Sequence, residues 1–282
     1  MFLVRKLGCL VIVSCFLYLF PSFALPNPPQ RIISGMPSIT EMLYALNLEN
    51  KIVGVTTNCN YPRYAKNKEK VGGFFLNLEK IVSLKPDLIV MLEDAQKVDI
   101  EKLKERGLPV YTINPHTVDE VMGSLLELGK VTGREKEAQK LAREMRLKIS
   151  AVRPKIFGIE FILRRPRVLV VVGYNPLIVA GGGTFIDDVV KCAGGRNISA
   201  SSAVAYPQFS FEALLNENPD YIILADDILK PKDFRADRRW QGLEAVKQGR
   251  VLFIDADILS RPGPRVVLAI EEIAEFIHAK KN

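Results

Sequence analysis

The residue types able to do chemistry are few and unevenly placed. His116 and His278 are the two histidines, and no Cys-x-x-Cys pair occurs, so a His-rich or thiolate zinc site has too few ligands. His116 follows Asn114-Pro115 at the end of an expected strand and precedes Thr117, a cap for the next helix. It is the imidazole placed to act as a base, yet no Ser or Cys stands in a G-x-S-x-G elbow, and a loop histidine without a catalytic role is the favoured reading. Ala180-Gly181-Gly182-Gly183-Thr184 has the look of a phosphate loop. It lacks both the Gly-Lys-Ser/Thr ending and the spaced third glycine. A loop feeding a helix near Thr184 is expected instead, with free N–H groups at its start.

Three further sets invite a binding role. Glu79 and Glu212 sit at equivalent points of two similar segments, each in the first turn of an expected helix. The helix dipole alone favours a carboxylate there by about 0.3–1 kcal/mol. The functional reading is a bipartite acidic surface that orients a basic partner. Aromatics gather in segments that follow strands: Tyr61 and Tyr64, Phe74 and Phe75, and Tyr206. Packing is favoured for each alone, except Tyr206, whose loop from Ser199 to Pro207 has no periodic apolar face. Arg261-Pro262-Gly263-Pro264-Arg265 is a rigid turn before the last helix, and at the mouth of a cleft Arg261 would bind an acidic or amide-rich ligand.

The elements that must position these residues alternate. β-branched runs at Arg31–Ser34, Ile52–Thr56, Leu88–Leu92 and Pro109–Ile113 are separated by helical patterns. Ser38-Ile39-Thr40-Glu41 reads as a capping box for the first helix, and Asn77 or a neighbour opens a second one that Pro86 stops. This alternation predicts an α/β fold with a mainly parallel sheet. The pattern then recurs. Glu79 and Glu212, Pro86 and Pro219, and Asp87 and Asp220 each lie 133 positions apart, while the strand-opening Arg31 and Arg167 lie 136 apart. Two lobes of one design follow. Between them Ala138, Leu141, Ala142, Met145, Ile149 and Val152 make an apolar stripe of helical period. About nineteen residues at 1.5 Å each give roughly 28 Å, the width of a small domain, so one stiff helix can join the lobes. Such a strut permits small rocking more readily than wide closure.

The chain has 282 residues, 39 Lys and Arg against 32 Asp and Glu, and 48% hydrophobic residues, which excludes disordered and disulfide-scaffold classes. Arg5 and Lys6, the apolar run Leu7–Phe20 and the small residues Ser22 and Ala24 read as a secretory signal cleaved before Leu25. Lipid attachment at Cys15 is the less favoured alternative, because Phe16, Leu17, Leu19 and Phe20 continue the apolar run. The expected parts are residues 1–24 as signal peptide, 25–133 as N-terminal lobe, 134–153 as interlobe helix and 154–282 as C-terminal lobe. Export and a mild basic balance argue against nucleic-acid binding. Cys59 and Cys192 remain after cleavage; a disulfide and two free thiols are both open.

Taken as a set, Arg31–Ser34 with Pro37–Glu41, Cys59-Asn60-Tyr61-Pro62, Val71-Gly72-Gly73, Leu78-Glu79 to Pro86-Asp87, Gly183–Asp188 to Gly194–Asn197, Tyr206-Pro207-Gln208, Glu212 to Pro219-Asp220 and Arg261–Arg265 resemble the cobalamin- and iron–siderophore-binding periplasmic proteins of ABC importers. The likeness runs from about Arg31 to the C-terminus and is closest to the vitamin B12-binding branch. It implies two Rossmann-like lobes joined by a single long backbone helix. The implied role is a monomeric, non-enzymatic carrier that captures a corrinoid, or alternatively a ferric siderophore or haem, and passes this small metal chelate to a permease dimer driven by a cytoplasmic ATPase. No resident cofactor and no protein-held metal are expected. The ligand-binding residues implied are Tyr61, Phe74, Phe75, Tyr206 and Arg261, and Glu79 and Glu212 are implied to meet arginines on the two permease subunits. The chain departs from the branch at Tyr206, where a Trp is usual, at Ser260, where an acid is usual, and in lacking a Cys in the last helix to pair with Cys192. An exported α/β hydrolase using His116 is the contrasting reading.

Overall fold

The computed structural model describes residues 27–73, 75–152 and 165–279. The expected signal segment therefore lies outside the described residues, as does Phe74. In the first lobe, β1 (Ile32–Ser34), β2 (Ile52–Val55), β3 (Leu88–Leu92) and β4 (Val110–Ile113) form a sheet in the order β2-β1-β3-β4, all parallel. Such strands are apolar on both faces because helices cover both. Alternation shows in where they pack: Ile32, Leu88 and Val90 enter one core, and Ile33, Ile89 and Met91 the other.

Helices α1 (Pro37–Ala45), α2 (Leu78–Ser83) and α3 (Lys97–Glu105) connect these strands, and α4 (Val118–Thr132) follows β4. Asn77 accepts from the Lys80 N–H at the head of α2. Thr117 and Glu120 complete a capping box at the head of α4, which ends at Gly133 in the left-handed region (φ 70°). The expected box at Ser38–Glu41 is not formed. Pro37 takes the first turn of α1, where its missing N–H is no loss, and Met36 caps by extended backbone alone. Glu41 has another use, described below.

The second lobe repeats the plan with β5 (Arg167–Gly173), β6 (Ile178–Val179), β7 (Arg196–Asn197), β8 (Tyr221–Ala225) and β9 (Val251–Ile254). β7, β8 and β9 run parallel to their neighbours, and β6 alone pairs antiparallel, with the far end of β5. Around them pack α6 (Phe185–Cys192), α7 (Phe211–Glu217), α8 (Pro231–Ala236), α9 (Glu244–Lys247), α10 (Ala256–Ser260) and α11 (Val266–Ile277).

The repeated sequence performs one structural task twice. Asp87 accepts from the N–H groups of Gln30 (2.7 Å) and Arg31 (2.8 Å), and Asp220 accepts from the N–H of Arg167 (2.8 Å), so each aspartate fixes the start of its lobe's central strand. Each arginine also reaches the end of the helix that leads into the neighbouring strand, Arg31 to the Leu84 carbonyl and Arg167 to the Asn218 carbonyl. Lys85 and Asn218, also 133 apart, both turn left-handed (φ 46° and 39°) before the proline. That conformation is costly for a side chain and marks an abrupt helix stop.

Between the lobes runs α5 (Glu135–Val152), burying Ala138, Ala142, Met145, Ile149 and Val152 against α4 and α11. A Cβ on Gly129 would lie 2.5 Å from that of Ala138, so α4 and α5 approach as closely as only glycine permits. The inner faces of both sheets join through α5 in one continuous core, from Ile32 and Val121 through Met145 to Val170 and Ile270. Each fully buried Val or Ile there contributes about 1.5–3 kcal/mol. The outer faces keep separate cores, with Trp240 at the centre of that of the second lobe.

Candidate ligand-binding site

A cleft opens at the carboxyl ends of the parallel strands, where loops rather than regular elements present side chains. Its first wall encloses about 790 Å³ and is built from the segments after β1, β2 and β3, with Ser38, Thr56, Thr57, Asn58, Asn60, Lys66 and Gln96 facing it. These residues are held from behind. Gln96 donates to the Gly35 carbonyl (3.0 Å) and accepts from the Leu92 N–H (3.0 Å), which ties the β1 and β3 loops together. Buried Cys59 contacts the hydroxyls of Thr40 and Thr56, each at 3.1 Å, and fixes the β2 loop as a free thiol. Cys192 in the other lobe lies against the Asp188 carboxylate (3.9 Å).

The second wall, about 410 Å³, is of opposite character. Val172, Ile178, Ile186, Ile228 and Leu259 line it with Tyr206 and one carboxylate, Asp227, and Ser260 is common to both walls. Tyr206 is 51% exposed, and partial burial raises its phenol pKa above the ordinary value. Its loop is locked onto the glycine stretch: Gly181 donates to the Ala205 carbonyl (2.8 Å), and Asn197 and Ser199 donate to the Ala180 carbonyl. A Cβ on Gly182 would meet the Ala200 carbonyl oxygen at 2.0 Å. The glycines thus serve loop packing, and Thr184 caps α6 by accepting from the Asp187 N–H.

An ionic seam closes the base. Glu41 of the first lobe, its side chain 2% exposed, accepts from Arg265 through Nε (2.9 Å) and Nη2 (2.7 Å) and from Arg261 Nη1 (3.1 Å). This carboxylate holds the Arg265 pKa above its usual value. Arg261 also donates to Asn60 Oδ1 (2.7 Å) and pairs with Asp257 (2.6 Å), and Asn60 Nδ2 donates back to Asp257 (2.8 Å). A separate tie joins the Val118 N–H of α4 to Asp188 of α6 (2.8 Å).

Arg261 and Tyr206 therefore line the two walls. Tyr61 does not face either cavity: its ring lies 4.0 Å beneath the Arg265 guanidinium and lines a different hollow beside α5, together with Tyr64. Phe75 is 79% exposed near Gly73, which borders the first wall. Glu79 and Glu212 are both exposed in the first turns of α2 and α7, capped by Asn77 and Ser210. His116 is an exposed loop residue beside Asp94 (3.2 Å) and Asn114 (3.0 Å). Sequence reasoning missed Thr57, Asn58, Gln96 and Asp257; their one signal was position directly after strands. Among the described residues no group of three or more His, Cys, Asp or Glu is placed to hold a metal ion.

Two parallel-sheet lobes bridged by one helix, with a loop-walled cleft between unlike surfaces, make a receptor for a sizeable solute. The chain belongs to the periplasmic binding protein family, whose pattern matches residues 32–258. It is 35% identical over 255 residues to the uncharacterized ABC transporter substrate-binding lipoprotein YvrC of Bacillus subtilis, covering 89% of this chain and 80% of that one. The crystal structure of the periplasmic vitamin B12 binding protein BtuF of Vibrio cholerae superimposes with a TM-score of 0.78 at 30% identity, covering 91% of this chain and 100% of that one. A periplasmic haem-binding protein from Pseudomonas aeruginosa does so with a TM-score of 0.78 at 27% identity, over 90% and 94% of the two chains. The protein is a non-enzymatic substrate-binding component of an ABC transporter, of the type that takes up corrinoids, haem or iron chelates.

Proposed function

We propose that the cargo is a corrinoid. The observation that carries this reading is the chemistry of the first wall, where Ser38, Thr56, Thr57, Asn58, Asn60 and Gln96 present neutral hydroxyls and amides. A corrin ring is fringed by carboxamides, which exchange hydrogen bonds with such groups in both directions. Haem carries two carboxylates, and ferric catecholate siderophores are anionic; either would call for unpaired cations. The Arg261 charge is already neutralised by Glu41 and Asp257, which leaves Lys66 on this wall. The apolar second wall offers Tyr206 and aliphatic groups to the flat of a macrocycle.

Haem is the second reading, favoured by one observation: a tyrosinate can ligate haem iron, and Tyr206 faces the cavity. The raised pKa of that phenol works against it. Calorimetric titration with cyanocobalamin, cobinamide, haemin and a ferric siderophore panel separates the two. Corrinoid binding at micromolar concentration or below, with haemin at least about tenfold weaker, is expected. Tighter haemin binding accompanied by an iron–phenolate absorption band would overturn the corrinoid assignment.

Glu79 and Glu212 support docking of one lobe tip on each permease subunit, with the protein acting as a monomer. Arginine at either position is expected to leave cargo affinity unchanged and to impair uptake. Residues 1–24 direct export to the periplasm. The lipoprotein relative keeps anchoring at Cys15 in view, and mass spectrometry of the exported N-terminus separates Leu25 from an acylated Cys15.

A further inference from the structure

Beside α5 lies a cavity of about 780 Å³ that shares no lining residue with either cleft wall. It touches the first lobe, the interlobe helix and the second lobe together. Its walls carry three tyrosine rings, Tyr44, Tyr61 and Tyr64, with Leu141, Met145 and Leu268. Tyr61, Tyr64 and Leu268 are 46%, 76% and 44% exposed, a concentration of apolar surface in one concave place that solvation does not favour. Among its charged groups Arg265 pairs with Glu41, Lys68 donates to the Glu49 carbonyl (2.6 Å) and Glu144 lies beside Lys140 (3.9 Å), while Lys148 also lines the hollow. Asn50 and Asn67 supply amide donors and acceptors at the wall. A concave hollow of this size, largely aromatic and aliphatic with a few polar groups, has the makeup of a small-molecule site.

We propose that this hollow is a second binding site, for small aromatic amides and phenols, separate from the cargo cleft. The walls back onto the cleft through two chain segments. Asn58 and Asn60 face the cleft while Tyr61 faces the second site, and Arg261 faces the cleft while Pro264 and Arg265 face the second site. Rings stack on Tyr61 and Tyr64 and against Met145, and an amide meets Asn50 or Asn67.

Methionine methyl NMR on the full chain reads the two sites apart, since Met145 lines the second site and Met36 the cleft. Titration with 4-hydroxybenzamide is expected to move the Met145 methyl saturably and to leave Met36 in place. Tyr64→Ala, at an exposed position that does not threaten folding, is expected to weaken binding at least about fivefold. Cyanocobalamin is expected to move Met36, which tests the cargo reading independently. Absence of a saturable Met145 response, a Met36 response with the same midpoint, or unchanged affinity in Tyr64→Ala would each overturn the second site.

Discussion

Arg31 and Arg167 open the central strands of the two lobes and are fastened by Asp87 and Asp220 in the same way, whereas the loops at the far ends of those strands differ. The first lobe turns mainly hydroxyls and amides to the cleft, with Lys66, and the second turns aliphatic groups and one phenol beside the charged Asp227, Asp257 and Arg261. A duplicated frame therefore carries two unlike surfaces. The difference teaches that the halves fold by the same rules and bind by different ones: strand-end clamps are set by backbone needs, and wall chemistry by the two sides of one cargo.

The comparison breaks most severely at the seam. Glu41→Ala would leave the largely buried Arg265 guanidinium without its carboxylate and Arg261 with Asp257 as its one acidic partner, and a loss of about 3 kcal/mol in chemical denaturation is expected. A loss near zero would mean that the lobes are not held together there. Next in size is the apolar wall, where Tyr206→Ala is expected to weaken corrinoid binding by roughly tenfold, about 1.4 kcal/mol. On the polar wall Asn58→Ala removes one neutral hydrogen bond and is expected to cost about fivefold. Equal and negligible effects at both positions would remove the argument that each wall grips its own side of the ligand.

Acid separates the lobes more gently. Arg239, with burial opposing it and Tyr174 assisting, holds the Asp237 carboxyl down at about 2, below an ordinary 3.8. A depressed carboxyl contributes stability above its unfolded value and loses it as pH falls from about 4 towards 2. His278 adds an earlier and smaller loss. Its burial lowers its pKa, only partly offset by the Ala193 carbonyl, so stability declines as pH falls below about 6.5, where the unfolded chain takes up the proton first. Both groups sit in the second lobe, so fluorescence of Trp240 should report acid unfolding there, and Asp237→Asn should flatten the profile below pH 4.

Much of the frame was legible because its causes are local or repeated. Asn77, Thr117 and Thr184 cap the helices expected of them. The 133-residue offset marks paired strand clamps, and the apolar stripe of α5 shows in its period. Glu41 was misread because its partners Arg261 and Arg265 lie more than two hundred residues away, beyond any local capping rule. Tyr61 was expected at the ligand for the same kind of reason. The side chain that decides its orientation, Arg265, is distant in sequence. The polar wall was overlooked because Thr57, Asn58 and Gln96 are residue types that loops favour for backbone reasons alone. Strand β6 is two residues long and has no period to read.

Hydrogen exchange with and without saturating cyanocobalamin tests the account most directly. Two unlike walls gripping one corrinoid require slowed exchange both at Thr56–Asn60 and at Ala256–Ser260 with the Tyr206 loop, while α5 stays unchanged. Protection confined to one lobe, or absent from both, would contradict it.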